Sequence, residues 1–208
     1  MLSGEQFFSF LLAASVLTVA PGPDNMMVLS LGMAKGRAAG IVFGLGCALG
    51  CLIHTLLAVV GVSALVAAST EAFTVLKICG GLYLIVLGLS ALRHSAGVRI
   101  HETGSNIQSP WKWFLQGTIA NAINPKVILF FLSFLPQFVL PANGDVSAQM
   151  AALGLLFTLQ AALIFGLLGF FAGTVGQWII ARPHIAVVVT RVAGTLFVGL
   201  GLRLLVSR

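Results

Sequence analysis

The chain of 208 residues has few charged side chains: they make up only 8% of it, and Asp and Glu together number five. A soluble domain carries about a quarter of its residues as charged side chains. With 59% hydrophobic residues and a mean hydropathy of +1.08, this chain cannot cover a water-facing surface with polar groups. The composition excludes a soluble globular domain and predicts a protein whose solvent is lipid.

Several motifs are missing as well. The sequence contains no H-E-x-x-H and no G-x-S-x-G, so we expect a protein that is not an enzyme and needs no metal or cofactor. The cysteines Cys47, Cys51 and Cys79 all lie in the first half of the chain, whereas a thiol-redox carrier of symmetric design would need them in both halves. The net charge of +6 does not form a basic stripe interleaved with aromatics, so nucleic acid is not an expected partner.

Long apolar stretches fill most of the sequence. They cover about residues 7–33, 39–68, 73–92, 111–140, 148–180 and 185–206. A helix needs roughly 20 apolar residues to cross a bilayer. We therefore expect an all-α membrane protein with about six transmembrane helices in a single transmembrane domain, residues 1–208, and the lipid bilayer as its surroundings.

The basic residues between these stretches predict the orientation. Lys35 and Arg37 follow the first stretch, Arg93 and Lys112 flank the loop after the third, and Arg182 follows the fifth. Lysine and arginine collect in cytoplasmic loops. We expect a multi-pass protein of the inner (plasma) membrane with both termini outside, although the two arginines at the C-terminal end argue the other way.

An internal repeat is visible in two pairs of stretches. Gly40-Ile-Val-Phe resembles Gly154-Leu-Leu-Phe, and Lys77-x-x-Gly resembles Arg191-x-x-Gly, at the same offset of 114 residues (154 − 40 and 191 − 77). Two units, about residues 5–92 and 111–206, would each hold three helices. Because three is odd, the second unit must be inverted, which is the plan of many transporters with a site near the midplane.

The first and fourth helices are predicted to be broken inside the membrane. Pro21, Gly22 and Pro23 interrupt the first, and Pro125 interrupts the fourth. Proline removes a backbone donor and clashes with the preceding turn, and the freed backbone groups must face protein or a cavity. The half-helices that begin near Pro23 and Pro125 carry partial positive charge at their N-termini, which suits a carboxylate.

Polar residues cluster at these breaks and form the candidate substrate site: Asp24, Asn25, Asn121, Asn124 and Lys126. A charge at the bilayer centre is costly and is usually paired or functional. The alternatives are an Asp24–Lys126 ion pair that ties the two units together, and asparagines that cap helix ends. His54, midway along the second stretch, is either a proton relay or a buried histidine that a neighbour satisfies.

Four motifs stand out along the chain: Leu17-Thr-Val-Ala-Pro-Gly-Pro-Asp24, Gly44-x-Gly-x-x-x-Gly-x-x-x-His54, Leu76-Lys-x-x-Gly-Gly-Leu-Tyr83 and Asn121-x-x-Asn-Pro-Lys126. Together they resemble the motifs of the LysE/RhtB amino-acid exporters, and the resemblance extends over about residues 5 to 206. Members often have asparagine where Asp24 stands, so this chain resembles the threonine-exporter-like subgroup. The resemblance implies proton-driven efflux, with threonine, homoserine, homoserine lactone, leucine and basic amino acids as substrates within the family.

On this resemblance we expect efflux of an amino acid or close derivative, with threonine, homoserine or homoserine lactone favoured. Asp24 would face the ammonium group, Lys126 the carboxylate, and Asp24 or His54 would exchange the coupling proton. A membrane thiol-redox carrier and a small-solute channel of similar inverted-repeat design are the alternatives. The exact substrate, the number of protons and the oligomeric state, a homo-oligomer included, stay open.

Overall fold

The computed structural model describes residues 2–62, 69–93 and 109–206, which form helices and short turns with no strand among them. The helices are α1 (Gly4–Val19), α2 (Pro23–Lys35), α3 (Arg37–Leu57), α4 (Thr70–Arg93), α5 (Pro110–Ala122), α6 (Pro125–Leu129), α7 (Val146–Phe170), α8 (Ala172–Ala181) and α9 (Pro183–Val206). Most of the basic loop predicted after the third span, residues 94–108, lies outside the described residues.

By length and apolarity, the described helices give four membrane spans, and six if each of two bent pairs is one span. Four are continuous: Arg37–Gly61, Thr74–Arg93, Val146–Phe170 and Val187–Val206. The other two are bent pairs, α1 with α2 at 57° and α5 with the Pro125–Phe138 segment at 51°. The predicted all-α membrane fold with broken first and fourth helices is confirmed. The predicted fifth stretch is interrupted at Phe171, where α7 gives way to the short α8.

Apolar side chains cover the outside of the helices. Phe8 on α1 is 70% exposed, and Leu163 on α7 is 63% exposed. In water such a surface would aggregate, whereas in a bilayer it meets lipid tails without cost. Buried polar side chains such as Asp24, Asn121 and Lys126 lie inside, where the two bent spans meet.

Glycine lets α3 and α7 approach almost backbone to backbone. Gly40 lies against Gly169, and Gly154 lies against Thr55, so the two helices run antiparallel. A Cβ added at Gly169 would lie 2.5 Å from the backbone nitrogen of Ile41. Close approach through small residues is how helices associate where lipid removes the hydrophobic driving force.

These contacts respect the offset of the sequence repeat. A shift of 114 residues carries Gly40 to Gly154 and Thr55 to Gly169, so each of the two contacts between α3 and α7 maps onto the other. Helices α4 and α9, equivalent in the proposed repeat, also pack antiparallel, through Gly88 and its neighbour Gly194. This pattern is what an inverted repeat requires, and the repeat itself stays a prediction.

Helix α3 also packs against α5 and so positions the second break. Gly50 faces Asn121 so closely that a Cβ there would lie 2.8 Å from the side chain of Asn121. Gly117 on α5 lies in turn against the carbonyl of Phe43. The end of α5 is thereby held beside the start of α2, where Asp24 lies.

Candidate functional site

The two helix breaks enclose a cavity of about 10 Å³ at the centre of the fold. Its lining residues are Leu17, Thr18, Asp24, Asn25, Cys51, Asn121, Lys126, Val127, Phe157 and Phe165. A cavity of this size has room for about one water molecule. Four of the five predicted substrate-site residues line it; Asn124 and the predicted relay His54 lie next to lining residues.

The first break forms as its sequence predicts. Helix α1 ends at Val19, and α2 begins at Pro23, whose missing N–H costs nothing at the first position of a helix. Gly22 precedes it in an extended conformation, and a Cβ at Gly22 would lie 3.0 Å from the ammonium nitrogen of Lys126. Glycine at this position therefore leaves room for the side chain of Lys126, which comes from α6.

Lys126 binds the open end of α1. Its Nζ donates to the carbonyls of Leu17 and Ala20, each at 3.0 Å, and the amide of Asn25 donates to the carbonyl of Thr18 at 2.9 Å. The last carbonyls of a helix lack intrahelical partners and carry partial negative charge, so an ammonium group is a favourable cap. Two of the three ammonium N–H groups are used in this way, and one remains.

Asp24 lies in the first turn of α2, only 4% exposed. Its Oδ2 accepts a hydrogen bond from the amide of Asn121 at 2.8 Å, and its Oδ1 has no partner. The partial positive charge at the N-terminus of α2 stabilises the carboxylate of Asp24. This helix end therefore already holds a negative charge of the protein itself. The alternative of a direct ion pair is wrong in this structure, because these two described residues bind Asn121 and backbone carbonyls instead.

Asn121 connects three elements. Its side chain binds Asp24, its backbone carbonyl lies 3.0 Å from Nε2 of His54, and its Oδ1 lies 3.5 Å from the thiol of Cys51. His54 is 2% exposed, and its ring centroid is 5.6 Å from that of Phe131. His54 is thus a buried histidine whose Nε2 is paired, and Asn121 lies between it and Asp24.

Asn124 caps the second break. Its Oδ1 accepts from the backbone N–H of Lys126 at 3.0 Å, so the capping role predicted for it is confirmed. Its Nδ2 has no partner, although the residue is only 4% exposed. Proline at the next position, Pro125, begins α6 as expected. An unpaired amide donor therefore lies at one break and an unpaired carboxylate oxygen at the other.

Sequence reasoning missed two residues of the site, Thr18 and Gln160. Thr18 lines the cavity and donates to the carbonyl of Ala14 at 2.9 Å. Gln160 of α7 donates through Nε2 to Oγ1 of Thr18 at 2.7 Å, and its Oε1 has no partner. An intramembrane polar residue in an otherwise apolar helix is a signal of function, and Gln160 carried that signal.

A second cavity of about 240 Å³ opens where α1 begins and α9 ends. Phe134 and Phe138 line it, whereas Phe157 lines the central cavity. The buried rings of Phe10 and Phe130 lie between the two cavities. The ring centroid of Phe130 is 5.3 Å from that of Phe157 and 5.1 Å from that of Phe134. This aromatic block separates the central cavity from the side of the membrane on which the described N- and C-terminal residues lie.

Comparison with known proteins gives the family. The chain is 29% identical over 207 residues to the membrane protein YrhP of Bacillus subtilis, covering 96% of this chain and 98% of that one. It is 31% identical to a homoserine/homoserine lactone efflux protein of Salmonella typhi, covering 98% of each, and 27% identical to a leucine efflux protein of Enterobacter sp., covering 95% and 94%.

No solved structure matches the chain. The model of the LysE type translocators matches residues 15–208, a range that includes both helix breaks and every residue of the central cavity. The chain therefore belongs to the family of LysE type translocators.

Proposed function

We propose that this protein exports amino acids or close derivatives from the cytoplasm, driven by the proton gradient, with threonine, homoserine or homoserine lactone favoured. One observation carries the proposal: the site leaves an acidic acceptor, Asp24 Oδ1, and an amide donor, Asn124 Nδ2, both buried and unpaired. Relatives named as homoserine and leucine efflux proteins support the substrate class.

A zwitterionic amino acid has the complementary groups. Its ammonium group donates hydrogen bonds and suits the free oxygen of Asp24. Its carboxylate accepts, and suits the amide of Asn124 together with the remaining N–H of Lys126. A buried polar group without a partner costs about 1–3 kcal/mol, so a ligand that satisfies both ends is favoured over an apolar one.

Entry and exit require the two units to move. The central cavity holds about one water, so an amino acid binds only when the broken helices separate. With both termini outside, the aromatic block of Phe10, Phe130 and Phe134 would close the outer path, and rocking of one unit against the other would open it.

Asp24 can couple the substrate to a proton because one carboxylate serves both. The charged form binds the ammonium group of the substrate, and protonation removes that charge. Proton and substrate thus exclude one another, which is the condition for exchanging an outgoing amino acid for an incoming proton. His54 binds the backbone carbonyl of the same Asn121 whose side chain binds Asp24, and it is the second group that would take up the coupling proton.

The test is efflux of radiolabelled threonine and homoserine from proteoliposomes under an imposed pH gradient. Asp24→Asn should lower efflux at least tenfold, since it removes a charge-assisted contact worth about 1.5–3 kcal/mol. Asp145→Asn is the matched control, because Asp145 is an exposed helix cap that asparagine replaces well. Unchanged efflux in Asp24→Asn would remove this residue from the mechanism, and efflux that ignores the pH gradient and does not saturate would favour a channel.

A further inference from the structure

We infer that Gln160 and Thr18 form a subsite that binds a hydroxyl group on the side chain of the transported amino acid. The inference rests on the proposed function and adds to it a basis for selecting among amino acids. It predicts that the protein prefers a substrate with a side-chain hydroxyl to one of the same shape with a methyl group.

The geometry provides an unfilled hydrogen-bonding position beside the central cavity. Gln160 is 8% exposed and lies three residues from Phe157, which lines the cavity from the same helix. Its Nε2 is held by Thr18 Oγ1 at 2.7 Å, and Thr18, also a lining residue, donates its own proton to Ala14. The free Oε1 of Gln160 is therefore fixed next to the site by a partner that has no proton left to give it.

The same need arises if the amide of Gln160 is turned over. Thr18 would then donate to Oε1, and the NH₂ group would be the one left without a partner. A hydroxyl both donates and accepts, so it satisfies Gln160 in either orientation, whereas a methyl group satisfies neither. The ammonium and carboxylate of the substrate are matched by Asp24 and Asn124, which leaves the side chain of the substrate to meet Gln160.

The rest of the lining fits a short side chain with one polar group. Leu17, Val127, Phe157 and Phe165 supply apolar walls, and no further acidic side chain joins Asp24 among the lining residues. A basic side chain would thus find no second carboxylate there. An aliphatic side chain would pack well against the apolar lining but would leave Gln160 buried and unpaired. A site built around a hydrogen bond discriminates against such a substrate.

The experiment compares substrates that differ by this one group, in proteoliposomes that contain the full chain. Threonine against valine and homoserine against 2-aminobutyrate are suitable pairs, with efflux rates measured at low substrate concentration. The wild type should favour the hydroxyl compound in each pair by tenfold or more, and Gln160→Met, which keeps the length of the side chain, should bring the ratio to within about threefold of one. Because the readout is a ratio within one variant, it does not depend on how much protein inserts.

Thr158→Val is the matched control. Thr158 lies on the same helix, is half-buried, and bonds to the carbonyl of its own Gly154 rather than to the site. Its variant should keep the wild-type ratio. A ratio near one in the wild type, or an unchanged ratio in Gln160→Met, would overturn the subsite. The proposed function would still stand in that case if Asp24→Asn lowers efflux. Loss of efflux for all four compounds in the wild type would overturn both.

Discussion

Replacing Lys126 with methionine should destabilise the protein strongly, because the ammonium group holds the end of α1. The change removes two hydrogen bonds, to the carbonyls of Leu17 and Ala20, and leaves both without that partner. Each bond to a charged group is worth about 1.5–3 kcal/mol, and breaking a buried charge cluster typically costs about 3–5 kcal/mol. Methionine fills a similar volume, so little of this loss is due to packing. We expect a net loss of roughly 3–5 kcal/mol.

Thermal unfolding of the detergent-purified protein measures this loss. A chain of this size shifts its Tm by about 2–4 °C for each kcal/mol, so Lys126→Met should lower Tm by roughly 6–20 °C. Lys112→Met is the control: Lys112 is an exposed residue at the start of α5, and its replacement should change stability by less than about 0.5 kcal/mol.

A double variant separates the two roles of Lys126. Asp24 lines the same cavity, so removing the lysine alone takes the one cation among the lining residues away from a buried carboxylate. Asp24→Asn combined with Lys126→Met should be less destabilised than the sum of the single changes, by about 0.5–3 kcal/mol. A Tm of Lys126→Met within about 2 °C of the wild type would refute the assignment of Lys126 as the cap of α1.

Three further changes test the packing and the coupling. Gly169→Ala should lower the free energy of unfolding by about 1–3 kcal/mol, measured by thermal unfolding, because the added Cβ would clash with the backbone of α3. Gly166→Ala is the control and should not lower it, because open space surrounds Gly166. Equal effects of the two changes would contradict the close packing of α3 and α7. Gly22→Ala should lower the efflux rate several-fold, since its Cβ presses on the ammonium of Lys126 at 3.0 Å, and an unaffected rate would contradict that contact. His54→Gln should leave exchange of labelled for unlabelled substrate intact but weaken the response of net efflux to a pH gradient; an unchanged response would exclude His54 as the relay.

The sequence predicts much of this fold because each feature has a local cause. Long apolar stretches can only be spanning helices, and the prolines at 21, 23 and 125 must interrupt them. The charged residues at the breaks can be predicted from the sequence as well. A charged residue inside a membrane costs free energy wherever it lies, so its presence alone indicates a role.

The partners of these residues could not be predicted, because they depend on tertiary packing. Nothing local indicates that Lys126 binds backbone carbonyls of α1 rather than Asp24, since every residue offers the same carbonyl group. Thr18 was overlooked because threonine is tolerated in apolar helices without a partner outside its own helix. Gln160 could have been found, because it is a polar residue in an apolar stretch. No proline or charged residue lies near it in the sequence to draw attention to it.

In the predicted repeat, the two breaks occupy equivalent places but carry opposite charges. An offset of 102 residues carries Pro23 to Pro125 and Asp24 to Lys126 (125 − 23 and 126 − 24). Matching positions thus hold an acid that keeps one free oxygen and a base that holds the opposite helix end. In the predicted repeat, the two glycine contacts between α3 and α7 map onto each other, a symmetry that would let the two units interchange their conformations during transport. The charges of the site do not share this symmetry. Under the proposed function, an amino acid bound between Asp24 and Lys126 would therefore keep the same orientation at each stage of transport, with its side chain always toward Gln160. Swapping the two residues in an Asp24→Lys and Lys126→Asp double variant should therefore abolish efflux even though the net charge of the site is unchanged.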